Sequence, residues 1–273
     1  MVVPTPMNLV ITGSSSGIGR FLADSLAKRG HEICRVARSP QSGFSFQCDV
    51  SDWQAQQICA EGIAAKWNAV DGLICCAGTQ EPIGPAMETD PAAWRSALAV
   101  NLDGTFFSIR ILFPLLCRAR RRAKVICFSG GGSTGPRPNF AAYGTAKSGI
   151  VRLVETLAVE WEKLPVDINA VAPGAIFTRM TEQILARGEK LAGKKEFESA
   201  SNLSRDNSDK LSKVLGLVEF LLSEKSDGIR GKLISAQWDP WERLLEYKSD
   251  LNSDIYTLRR IVPADRGKQW SAQ

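Results

Sequence analysis

Asn8-Leu-Val-Ile-Thr12-Gly13-Ser-Ser-Ser-Gly17-Ile-Gly19 is the stretch that decides the fold. Asn8–Thr12 is a short β-rich run, and three glycines follow it at once. From Arg20 to Arg29, Phe21, Leu22 and Leu26 recur at helical spacing, and Gly30 stops the pattern. A strand, a glycine loop and a helix in that order form a phosphate cradle. The first glycine permits a tight turn, and the later ones let the backbone approach a pyrophosphate and the helix pack on the strand. The N–H groups at the helix start then face the anion. We therefore assign Gly13, Ser15, Ser16, Gly17, Ile18 and Gly19 to a dinucleotide-binding loop.

Outward from that loop, strand-like and helix-like segments alternate. This predicts an α/β fold: a Rossmann-type, doubly wound parallel sheet in three layers, forming a single domain. Ile33–Ala37 reads as the second strand and Phe44–Cys48 as the third, joined by Ser39–Gly43 with no room for a helix. Helices are expected at Gln54–Trp67, Pro91–Ser96, Asn101–Arg118, Ala141–Glu162 and Leu211–Ser223. Further strands are expected at Gly72–Cys76, Lys124–Phe128, Val166–Val171 and Lys232–Ser235. The polar, weakly patterned stretch from about 180 to 209 is expected to be a mobile substrate loop. Residues 1–240 form the expected domain, and 241–273 is a tail the pattern does not place.

Composition narrows the classes. Charged residues make up 23% and the net charge is only +5, which suits an anionic cofactor without implying nucleic acid. The densest basic run, Arg118–Arg122, has no interleaved aromatics and reads as a solvated helix end. No apolar run approaches the ~20 residues that span a bilayer, so no membrane partner is expected. One histidine and seven cysteines without a CxxC pair give no zinc constellation. Reduced thiols and the lack of a basic stretch before an apolar run at the start point to the cytoplasm.

The end of the second strand meets the adenosine ribose in such a sheet, where an acidic residue favours a free 2′-hydroxyl. Here the stretch is Val36-Ala37-Arg38-Ser39. Arg38 suits a 2′-phosphate, so the expected cofactor is NADP, with NAD as the alternative.

Tyr143-Gly-Thr-Ala-Lys147 opens the longest expected helix. Residues four apart share one helix face. A nearby cation stabilises a phenolate and lowers the tyrosine pKa from ~10, making the phenol a candidate proton carrier to a carbonyl or alcohol oxygen.

With both motifs placed, the chain resembles the short-chain dehydrogenase/reductase family over roughly Met7 to Ala236. Asp49-Val50 matches the family's acidic residue and its neighbour at the adenine. Cys75-Cys76-Ala77-Gly78 stands where the family has Asn-Asn-Ala-Gly, so Ala77 and Gly78 carry over as cofactor contacts. Asn101 matches the asparagine that supports a proton-relay water. Pro173, Gly174, Ile176 and Thr178 match the segment that holds the nicotinamide carboxamide. The resemblance implies carbonyl–alcohol hydride transfer with Tyr143 as acid/base. Lys147 would bind the nicotinamide ribose, and Asn101 would position the relay. It also implies a homodimer or homotetramer through the helices that follow the fourth and fifth strands.

One departure bears on the chemistry. The family's substrate-binding serine, 13 positions before the tyrosine, is replaced by Gly130, within Ser129-Gly-Gly-Gly-Ser133. Ser129 is the expected substitute, with Ser133 as the alternative. The vicinal Cys75 and Cys76 read as small strand residues rather than a redox pair. Arg179, Arg187, Arg205, Trp238 and Trp241 suit a hydroxylated or phosphorylated substrate, or equally a plain surface and core. The competing readings are a non-catalytic NADP-binding regulator and a nucleotide-sugar epimerase or dehydratase. The three-residue spacing from Gly13 to Gly17, and no sizeable C-terminal substrate domain, argue against the latter.

Overall fold

The fully parallel sheet is built from β1 (Asn8–Thr12), β2 (Glu32–Ala37), β3 (Ser45–Gln47), β4 (Gly72–Cys75), β5 (Ala123–Phe128), β6 (Val166–Ala172) and β7 (Leu233–Ser235). These are seen in a computed structural model that describes residues 6–270. Their order is β3-β2-β1-β4-β5-β6-β7, each neighbour pair parallel. Every residue of β4 and β5 is buried, as a parallel sheet covered on both faces requires. The third strand is shorter than expected, because Phe44 and Cys48 fall outside the pairing.

Alternation along β1 divides the core. Val10 turns to the side of α2 (Trp53–Lys66), α4 (Gly104–Leu116) and α5 (Ala141–Glu160), among Ile63, Leu112, Leu116 and Ile150. Leu9 and Ile11 turn to the side of α1 (Gly17–Lys28) and α8 (Ser208–Leu222), among Leu22, Leu26, Leu217 and Val218. The strand order reverses between β1 and β4, and the crevice beyond their carboxyl ends is where such sheets bind ligands.

Three expectations change. First, residues 180–209 are not a loop. They fold mainly into α6 (Arg179–Ala192) and α7 (Lys194–Ser201), broken by Gly188 at φ 72° and Gly193 at φ 85°. Ile184, Ala192 and Ala200 pack with Ile83, Phe140 and Tyr143, and this tertiary burial fixes a segment whose composition looked too polar to order.

Second, α3 (Pro91–Leu98) runs through a wider π turn at Ala99–Asp103 into α4. The combined run Pro91–Leu116 is 26 residues and apolar enough, by length and composition, to cross a membrane. It instead places Ile109, Leu112, Leu115 and Leu116 in the core. Third, the tail packs on the domain. Leu244 and Leu251 are buried, the Leu233 amide donates to Tyr256 O at 2.8 Å, and Lys232 Nζ donates to Ser253 O and Ile255 O.

Within the basic run, Arg122 reaches the buried Asp167 at 3.2 Å and Arg121 pairs with Glu224 at 3.1 Å. These partners anchor that corner of the sheet.

Candidate active site

At the end of β1 the chain turns through Gly13, whose amide donates to Val36 O at 2.9 Å. A Cβ on Gly13 would lie 2.6 Å from the Ala77 nitrogen, and one on Gly19 would lie 2.4 Å from Gly13 O. No side chain fits at either place, so β1, α1 and the β4 end approach as closely as backbone allows. Ser14 is fully buried, its hydroxyl donating to Val36 O, whereas Ser15 and Ser16 line a trough of about 540 Å³. That volume lies within the usual range of ligand clefts.

Gly13, Gly17, Ile18 and Gly19 share the trough wall with Arg38, Asp49, Val50, Ala77, Gly78 and Thr178. Burial alone would raise the Asp49 carboxyl. The Ser51 hydroxyl and amide, with Arg38 close by, outweigh it and hold the group below the ordinary aspartate value. An acceptor therefore sits at one end of the trough beside a guanidinium.

At the other end, Gly78 is wedged in front of two buried groups. A Cβ there would stand 2.8 Å from Asn101 Oδ1 and 3.7 Å from Lys147 Nζ. Asn101 lies in the π turn and is fully buried. Its amide donates to Thr79 O and Ala97 O, each at 2.9 Å, and its Oδ1 accepts from the Thr79 amide at 3.1 Å. The widened turn thus locks Asn101 behind Gly78 of the trough wall.

Tyr143 and Lys147 lie one turn apart on the buried face of α5. Lys147 Nζ donates to Phe128 O at 2.8 Å and lies 5.6 Å from the centre of the Tyr143 ring. Burial drives its ammonium down to about 8. Burial likewise raises the Tyr143 phenol above its ordinary value. The cation that opposes this is Arg137, not the expected Lys147.

Ile83, Phe140, Ile184, Ala192 and Ala200 form one apolar cluster with Tyr143, a roof against which Leu185 packs, and Tyr143 is 6% exposed. The Arg187–Glu81 pair, at 2.9 Å, joins α6 to the loop after β4.

The serine substitutes are engaged elsewhere. Ser129 Oγ donates to Lys147 O at 3.1 Å, and Ser133 Oγ donates to Gly130 O at 2.8 Å. The structure does not bring the Ser129 hydroxyl to Tyr143. Of the segment assigned to the carboxamide, Thr178 alone lies on the trough wall. Pro173 O accepts from Gln237 Nε2 at 3.0 Å, Gly174 is packed against Gln237, and Ile176 is in the core. Sequence reasoning missed Cys48, Gln183 and Met180 on the wall, and Arg137 beside Tyr143. Arg137 carries no motif, and its signal is spatial.

The aromatics expected near substrate are elsewhere. Trp241 packs against Gly216 and Phe220, Trp238 is 74% exposed, and Arg205 lies over the Phe177 ring.

A chain with this sheet, glycine loop and buried tyrosine–lysine pair is one that family comparison should place, and it does. Residues 7–188 match the model for short chain dehydrogenases. A short chain dehydrogenase of Monascus purpureus is 28% identical over 92% of this chain and 88% of its own length. The D-threitol dehydrogenase of Mycolicibacterium smegmatis is 30% identical over 63% of this chain and 70% of its own. Among solved structures, the ligand-free aldohexose dehydrogenase of Thermoplasma acidophilum superposes with a TM-score of 0.74 at 21% identity, covering 84% of this chain and 92% of that one. A short chain dehydrogenase of Shigella flexneri solved with NADP gives 0.72 at 21% identity, over 85% and 97%. The protein belongs to the short-chain dehydrogenase/reductase family, a family of oxidoreductases.

Proposed function

We propose that this protein interconverts a carbonyl and a secondary alcohol with NADP(H), and that Tyr143 carries the proton. The observation that supports it most is that Asn101 Oδ1 and Lys147 Nζ stand directly behind Gly78 of the trough wall, with Tyr143 one helical turn from Lys147, so that the three border the trough without lining it. That trough fits a dinucleotide: serine hydroxyls and helix N–H groups stand at its middle and a guanidinium at its far end. Ser15, Ser16, Ile18 and Thr178 would hold the dinucleotide, with Arg38 on the 2′-phosphate. The bound dinucleotide supplies or accepts hydride.

The protein's own residues do the rest. Lys147, still mostly charged at neutral pH, orients the ribose. Tyr143 gives its proton to the carbonyl oxygen in reduction and takes it back in oxidation. Asn101 holds the loop after β4 in register with Lys147. The roof of Ile83, Ile184 and Leu185 must lift to admit substrate, and on closing it excludes water. Its surface is apolar, whereas Arg179, Gln183 and Arg187 line the trough beside it, so hydrocarbon and polar groups of a substrate would both find partners.

Association through the α4 and α5 faces belongs to the same proposal. The cytoplasm is the proposed compartment, supported by seven unpaired thiols, five of them buried. Turnover of a ketone and aldehyde panel with NADPH, in wild type and Tyr143→Phe, tests the reading. The expected loss is about 10²- to 10⁴-fold with dinucleotide binding kept. Undiminished turnover in the variant would refute it.

A further inference from the structure

The glycines at 130–132 leave position 130 without a hydroxyl, but they make room for something else. A Cβ on Gly132 would press within 3.4 Å of Arg137 Cβ and 3.1 Å of Gly144 Cα. One on Gly131 would touch Arg137 Cδ, Nε and Nη1 at 3.9–4.0 Å. The Arg137 side chain therefore lies along the glycine run, and its side chain is only 13% exposed. Its guanidinium carbon sits 3.9 Å from the centre of the buried Phe140 ring and 5.6 Å from the centre of the Tyr143 ring. Nη2 donates to Glu196 Oε2 of α7 at 2.8 Å. Stacked, tethered and largely out of water, this charge acts through a medium that screens it less than solvent would.

We infer that Arg137 is a positioning residue for the proton carrier: its charge, partly offset by Glu196, stabilises the Tyr143 phenolate. The inference rests on Tyr143 being the acid/base. The other charged groups around Tyr143 are accounted for. Lys147 comes from the same helix and is bonded to Phe128 O. Glu81, two residues before Ile83 of the roof, is paired with Arg187 of α6. The α6 and α7 side chains in or against the apolar cluster that contains Tyr143 are Ile184, Leu185, Ala192 and Ala200. Glu196 reaches Tyr143 through Arg137.

The test uses two charge changes of opposite sign. The chain has three tyrosines, so subtracting the tyrosinate absorbance titration of Tyr143→Phe isolates Tyr143. Arg137→Gln should move that titration up by about one pH unit, and Glu196→Gln should move it down by a smaller amount. Arg137→Lys, which keeps the charge but loses the planar fork, should recover part of the shift. The pH profile of kcat/KM for alcohol oxidation should follow in the same directions. Shifts of the same sign in the Gln variants, or titrations coincident with wild type, would overturn the inference. Opposite shifts in absorbance with an unmoved rate profile would uphold the Arg137–Tyr143 coupling and refute Tyr143 as the group that sets the rate.

Discussion

Replacing Lys147 by Met should make this protein more stable at neutral pH while abolishing its proposed activity. Lys147 is 4% exposed, and burial lowers its ammonium from 10.5 to about 8. That drop corresponds to roughly 3 kcal/mol of destabilisation at pH 7, where the buried group must still carry its charge. Met fills a similar volume without charge. It loses the 2.8 Å bond to Phe128 O, which removes about 1 kcal/mol. The net gain is about 2 kcal/mol, or roughly 4–8 °C in Tm for a domain of this size.

The pH dependence carries a sign. Between about 8 and 10.5 the unfolded chain keeps the lysine proton and the folded chain has released it. The unfolded state then binds more protons, so raising pH stabilises the wild type relative to Lys147→Met. The variant's advantage should be full below about pH 8 and vanish by about 10.5. Denaturant unfolding of both proteins at several pH values measures it. A variant less stable than wild type at pH 7, or an advantage that grows with pH, would refute the reasoning.

Two further outcomes follow from the site. Arg38→Asp should weaken NADPH binding by about 10- to 100-fold and favour NADH, because a charge-assisted phosphate contact is replaced by repulsion. Fluorescence titration of both dinucleotides checks this. Ser129→Ala and Ser133→Ala should each keep most turnover and lose about 1 kcal/mol of stability, since both hydroxyls are held on backbone carbonyls. A collapse of kcat in either variant would restore serine to the mechanism.

Much of this molecule is legible in its sequence. The strand–glycine–helix run at 8–28 fixes the switch point, because only glycine fits where Gly13 meets Ala77 and Gly19 meets Gly13 O. Tyr143 and Lys147 are singled out by helical spacing together with their place after the fifth strand, downstream of the glycine loop. What was hidden depends on packing between distant segments. The order of 180–209 comes from Ile184, Ala192 and Ala200 meeting Phe140 and Ile83, which no local pattern reveals. The serine question is decided by which acceptor lies within reach, and for Ser129 that is a carbonyl on α5. Arg137 looks like one surface cation among many until Glu196, Phe140 and the glycine run surround it.

The most direct measurement is a crystal structure with bound NADP and a substrate alcohol. The account predicts the alcohol oxygen within hydrogen-bond reach of Tyr143 Oη, Lys147 Nζ on the nicotinamide ribose, and the 2′-phosphate on Arg38. A dinucleotide lying along the same trough with Tyr143 still sealed beneath Ile184 and Leu185, and Lys147 still on Phe128 O alone, would contradict it.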